Sequence, residues 1–160
     1  MRKVIVNSTP IIVLAKVRKL NLLEQLYGEV TIPDAVMKEV TRKNDMVRNL
    51  ITASSWIHVE KIHSTDDRAM YKAKLHDGEV EVMILAQEHG EDHLVIIDDD
   101  AARKTALYLN LNLTGTLGVL LKAKEKGLLP NVMPVIEAME REGLYLGRTL
   151  KERIKRLAKE

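Results

Sequence analysis

The sequence predicts an α/β fold, a three-layer α/β/α sandwich around a central parallel sheet. Three observations carry that expectation. Short β-branched runs such as "KVIV" and "HLVII" alternate along the chain with longer stretches of helical period. Several of these runs are continuously apolar, as strands covered on both faces are. Strands separated by helices need right-handed crossovers, and these build a parallel sheet with helices on both sides.

Taken in order, Lys3–Val6 reads as a buried strand stopped by the turn cluster Asn7-Ser8-Thr9. Pro10 suits a first helical turn and opens a helix expected over residues 10–17. Residues 21–27 form a second short helix closed by Gly28, and residues 30–32 a brief strand. Pro33 opens "PDAVMKEVTR", whose Val36 and Val40 lie one turn apart on an apolar face. Helix is expected to continue over 44–53, with a further strand over 56–59. "DGEVEVMILAQEHG" is an amphipathic helix with acids in its first turn and Gly90 at its end. "HLVIIDDD" is an apolar strand that ends in three carboxylates. A helix over 101–109, a strand over 111–113 and a helix over 117–126 follow, then two more helices in "LPNVMPVIEAMEREG" and "TLKERIKRLAKE".

Composition narrows the function classes. The chain has 160 residues, 46% of them apolar, which suits a single domain over 1–160 with a real core. No apolar run approaches the roughly 20 residues that cross a bilayer. No signal peptide is visible, and the absence of cysteine excludes disulfides and thiolate metal sites. A cytoplasmic location is expected. From Arg148 onward six basic residues face only Glu152 and Glu160, so this helical tail carries +4 and leaves −2 on the rest. Such a tail could follow a phosphate backbone, or be a solvated helix of interleaved charges. Five aromatic residues (Tyr27, Trp56, Tyr71, Tyr108, Tyr145) are too few for a base-stacking platform.

In an open parallel sheet, ligands bind beyond the carboxyl ends of the strands, where the strand order reverses. Two strands here end in polar clusters, Asn7-Ser8-Thr9 and Asp98-Asp99-Asp100, and Glu79 and Glu81 begin a helix. Brought together, these carboxylates would raise one another's pKa unless a cation joined them. A hard divalent ion such as Mg²⁺ or Mn²⁺ suits oxygen ligands alone and supports displacement at phosphorus. Each set also has a structural explanation: first-turn acids favour the helix dipole, and "DDD" can turn and cap a helix. Thr116 reads as a helix N-cap with a possible substrate contact. The five histidines read as surface or turn residues; Gly90 separates His89 from His93 and argues against zinc. No G-x-G-x-x-G or G-x-x-x-x-G-K-[ST] loop is present.

The segments "VIVNSTPIIVLAK", "VTIPDAVMKEV", "GEVEVMILAQEHG", "LVIIDDDAAR" and "LNLTGTLGVLLKAKEKGL" together resemble the PIN-domain family, in its branch of small prokaryotic proteins related to VapC-type toxins. The resemblance implies a metal-dependent endoribonuclease, often a homodimer held by an antitoxin protein. Carried over by position, the family's four acids fall on Asn7, on Glu39, on Glu81 with Glu79 as the alternative register, and on Asp98. Asp99 and Asp100 are close enough to share that last role. Glu39, Glu81, Asp98 and Asp99 would then hold Mg²⁺ or Mn²⁺, and Ser8 and Thr9 match a hydroxyl beside the first acid, a possible RNA contact. The departure is Asn7, an uncharged amide that cannot serve as a base. The resemblance leaves two expectations: a ribonuclease weakened at Asn7, or an inactive PIN-like module that binds RNA or protein. Other acid-rich folds fit less well, because receiver domains need paired acids after the first strand and Toprim nucleases a glutamate.

Overall fold

The computed structural model describes residues 2–64 and 75–160; Tyr71 lies outside them. Among the described residues five strands form one all-parallel sheet: β1 (Lys3–Val6), β2 (Val30–Pro33), β3 (Ile57–Glu60), β4 (His93–Ile96) and β5 (Leu113–Thr114). Their spatial order is β3-β2-β1-β4-β5. The chain winds outward from β1 to β3, returns to place β4 beside β1, and winds outward again to β5. The order therefore reverses between β1 and β4, and the crevice at a doubly wound sheet's switch point opens there.

Helices cover both faces. Among the described residues they are α1 (Ser8–Lys16), α2 (Asn21–Tyr27), α3 (Asp34–Val40), α4 (Met46–Thr52), α5 (Asp77–Glu88), α6 (Asp100–Tyr108), α7 (Thr116–Glu125), α8 (Met133–Arg141) and α9 (Arg148–Leu157). Helix α3 packs against α1, α4 and α5, while α2 meets α7. The central strands are buried apart from Lys3 at the start of β1, with Ile5, Val6, Val95 and Ile96 at 0% exposure. That removal of apolar surface from water is the main drive to this arrangement. None of the helices among the described residues is long and apolar enough to cross a membrane.

Local differences from the expected elements have local causes. Helix α1 begins at Ser8 rather than Pro10, because proline in a first turn lacks only an amide that would have no helical partner. Strand β5 is Leu113–Thr114, and it pairs only with β4, at Val95 and Ile96. Helix is interrupted between α3 and α4 instead of running on from residue 44, since Asp45 starts a new helix by accepting from the Arg48 amide at 3.2 Å. His93 is not a surface residue. It is buried in β4, with Nδ1 2.5 Å from the Gly90 carbonyl and Nε2 accepting from the Asn112 amide at 3.0 Å. His89 turns instead to Glu60, at 2.9 Å, so the two histidines share no ligand site.

Candidate active site

Register delivers the first residues. Val6 pairs with Ile96, so the chain leaves β1 and β4 side by side, and the Asn7 amide donates to the Ile96 carbonyl at 3.0 Å. Asn7 is buried at 4% exposure and occupies the N-cap position of α1, yet its side chain caps nothing. Its carboxamide makes no hydrogen bond among the described residues. A buried amide without a partner is costly, on the order of 1–3 kcal/mol. Ser8, equally buried, donates from Oγ to Oε2 of Glu39 on α3 at 2.8 Å. Thr9 faces solvent.

Helix α5 reaches this point because Gly78 has no side chain. A Cβ there would lie 3.2 Å from Val36, 3.3 Å from Glu39 Oε2 and 3.6 Å from Ser8 Oγ. The next residue, Glu79, is buried and accepts from the His76 amide at 2.9 Å. Burial pushes its carboxyl above the usual range, and the charges of Asp99 and Glu39 push it further, against the lowering effect of that amide and of His76. Glu81 is buried too, but Oε1 accepts from the Ala35 amide at 2.9 Å. The reason lies in α3: its N-cap is Pro33, which has no polar side chain, so a carboxylate from α5 meets the exposed amide instead.

The "DDD" turn divides its labour. Asp98 is held at both oxygens by Thr116, from the amide to Oδ1 at 2.7 Å and from the hydroxyl to Oδ2 at 2.5 Å. Asp99 caps α6 by accepting from the Ala102 amide at 3.0 Å, and Asp100 lies in the first turn of that helix. Thr116 is therefore not the N-cap of α7. Gly115 holds that position, and Thr116 as the first helical residue turns its donors to Asp98. Gly115 also permits a close approach: a Cβ there would lie 2.8 Å from Asp98 Oδ1 and 2.9 Å from Arg103 Nη1. Arg103 donates from Nη1 to the Ile97 carbonyl at 2.8 Å.

Ser8 and Glu39 meet directly, Glu79 lies within electrostatic reach of Glu39 and Asp99, and Asn7 adjoins Ser8 at the end of β1. Asp98 stands beside Asp99, fixed by Thr116. Glu81 is occupied at the start of α3, so of the two registers Glu79 has the more crowded, more charged surroundings. Arg103 escaped the sequence reading. Its signal was its place one turn into the helix that follows the "DDD" run. Among the described residues no three His, Asp or Glu side chains are grouped closely enough to hold a metal ion as they stand. The donor chemistry nonetheless fits a hard cation. Every side chain offered is an oxygen donor, Glu79 is crowded by like charge, and the Asn7 amide is unsatisfied.

Parallel strands in this order, with carboxylates over the switch point, define a doubly wound α/β sandwich with an acidic crevice. Residues 3–160 match the family profile of the PIN domain, and the chain belongs to the PIN-domain family. Its fold is accordingly of the nuclease type. A comparison with curated proteins finds no match.

Proposed function

We propose that this PIN domain is a metal-dependent endoribonuclease that hydrolyses phosphodiester bonds in RNA. One observation carries the reading: Glu79 is buried within reach of the charges of Glu39 and Asp99, and the buried Asn7 amide at the end of β1 has no partner among the described residues. A crowd of this kind is stable only when protonated or when a cation joins it. Glu39, Glu79, Asp98 and Asp99 would hold Mg²⁺ or Mn²⁺, with the Asn7 oxygen as a neutral donor and Glu81 as the alternative to Glu79. When bound, such an ion neutralises phosphoryl oxygens and lowers the pKa of an attacking water.

The protein's own residues prepare that site. Ser8 fixes one oxygen of Glu39, the His76 amide fixes Glu79, and Thr116 fixes Asp98 at both oxygens. Holding the carboxylates before substrate arrives lowers the reorganisation needed during reaction. The toxin of a toxin–antitoxin pair, working in the cytoplasm as a homodimer held by an antitoxin protein, is the setting we propose for this activity.

Asn7 favours a second reading, an inactive PIN-like module that binds RNA or protein. It removes one charge from the ligand set, and a change in the outer shell alone costs about 10–100-fold in metal affinity or activity. Purified protein with Mn²⁺ and single-stranded RNA separates the two. The nuclease reading expects cleavage that falls by at least about 100-fold in Glu39→Gln and Glu79→Gln. Silence in the native protein and cleavage in Asn7→Asp would establish the binding module as the native state. Equal cleavage by native protein and Glu→Gln variants would place the activity elsewhere.

A further inference from the structure

The foot of the sheet, at the end away from the acidic crevice, holds a buried histidine with both ring nitrogens engaged. His93 opens β4 and is 4% exposed. Nε2 meets the Asn112 amide at 3.0 Å, and a backbone N–H can only donate. Nδ1 lies 2.5 Å from the Gly90 carbonyl, which can only accept. The two partners therefore fix one form, the neutral ring with its hydrogen on Nδ1. Gly90 offers that carbonyl from a left-handed turn, φ +69°, two residues beyond α5. One imidazole thus joins the end of α5, the start of β4 and the entrance to β5.

We infer that His93 is a proton-operated joint. Neutral, it clasps the entrance of β5; protonated, it lets that entrance go and loosens the grip of Thr116 on Asp98. A second ring hydrogen would sit on Nε2 and face the Asn112 N–H, two donors with no acceptor between them. What the joint holds is short: β5 has two residues, lies at the sheet edge and pairs only with β4. Asn112 is also tied by its carbonyl, which accepts from the Val95 amide at 2.8 Å, and by long side-chain bonds of 3.4 Å to the Glu91 and His93 carbonyls. Four residues further on, Thr116 holds both oxygens of Asp98, so slack at the entrance reaches that carboxylate along a short stretch of chain. What this means for Asp98 as a ligand rests on the nuclease reading; the joint itself does not.

A released ring has somewhere to go. An open cavity of about 620 Å³ lies beside it, lined by Gly90, Glu91, Asn110 and Asn112 among others. Glu91 is exposed there, and a carboxylate accepts strongly from an imidazolium. The charged groups around the ring are Glu91 and Asp92 on the turn before it, Arg2, whose Nε donates to the His93 carbonyl at 3.3 Å, and Lys3, its register partner on β1. Helix α5 lends the cavity only Ala86 and Gln87, and the chain from α6 to β5 only the uncharged residues 109–112. His89 turns away to Glu60.

The test is amide hydrogen exchange by NMR on the full chain in EDTA, with long-range nitrogen–proton spectra of the imidazole. At about pH 8 His93 should carry its hydrogen on Nδ1 and leave Nε2 bare. From about pH 8 to about pH 5, protection of the Asn112 and Thr116 amides should fall about tenfold or more. The Asn7 amide, which donates to Ile96 across the β1–β4 pair, should stay protected over the same range. His93→Gln offers a donor and an acceptor that do not titrate, so in that variant protection at Asn112 and Thr116 should not vary with pH. Asp98 is present in both proteins, so the comparison also separates its titration from that of His93. A hydrogen found on Nε2, constant protection in the native chain, or the same pH course in His93→Gln would overturn the joint. Loss at Asn7 in step with Asn112 would mean general unfolding and overturn it too. Should His93→Gln not fold, the ring spectra and the contrast of Asn112 with Asn7 in the native chain decide the matter. No readout involves cleavage, so a protein that never cuts RNA would sink the nuclease reading and leave the joint standing.

Discussion

Glu79 and Glu160 both accept a backbone amide near a helix start, yet their carboxyls are pushed in opposite directions. Burial raises both. At Glu160 the amides of Val132 and Met133, at 2.7 and 3.0 Å, together with Lys124 at 2.9 Å, outweigh burial and hold the carboxyl below the usual range. At Glu79 a single amide from His76 is set against the charges of Glu39 and Asp99, and the carboxyl stays raised. The last residue of the chain thus ties α9 to α7 and to the start of α8. The acid at the start of α5 ties nothing comparable together. Donor count set against like-charge count separates a carboxylate that holds the fold from one suited to a cation.

The sharpest way to break that contrast is to remove each group in turn. Glu160→Ala strands two amides and a lysine, and should lower stability by about 1–3 kcal/mol in thermal unfolding while leaving RNA cleavage unchanged. The sign with pH follows from the lowered pKa. The Glu160 contribution is present above the unfolded-state value and is lost as pH falls through the folded-state one, so acid should erase the difference between variant and native protein. Glu79→Gln should act the other way, raising stability near neutral pH in metal-free buffer. The folded-state pKa lies above the unfolded one, so ionisation costs stability as pH rises from the unfolded value through the folded value. Native protein should lose stability across that window and the variant should not. Added Mn²⁺ should stabilise the native protein and leave Glu79→Gln nearly unmoved. The smallest expected effect is at Gly115→Ala, whose methyl group would press on Asp98 and Arg103. A loss of about 1 kcal/mol or less, with a several-fold drop in cleavage, should follow.

Much of the fold was legible because burial on both faces leaves a plain signature. After Lys3 and His93, strands β1 and β4 are apolar runs ending at polar turns, and α5 has acids in its first turn and Gly90 two residues beyond its end. Strand β5 was misplaced because two residues paired to one neighbour leave almost no pattern to read. The candidate site divides in the same manner. That Asn7 and the "DDD" turn sit at strand ends was readable, and the ends of parallel strands are where ligands gather. Which of Glu79 and Glu81 stands in the more charged surroundings was not. Both lie in or beside the first turn of one helix, and both are buried. What separates them is a proline at the start of α3, far away in sequence, which cannot cap its own helix. Thr116 and His93 were misread for a related reason. Their partners, Asp98 and Asn112, are set by the pairing of β4 with β5, not by local sequence.

Direct titration of Mn²⁺ into native protein and into Glu39→Gln and Glu79→Gln, followed by calorimetry, tests the central claim. The account predicts one saturable site in the native chain and its loss, or a weakening of about 100-fold, in both variants. Native protein that takes up no ion, or variants that bind as the native chain does, would contradict it.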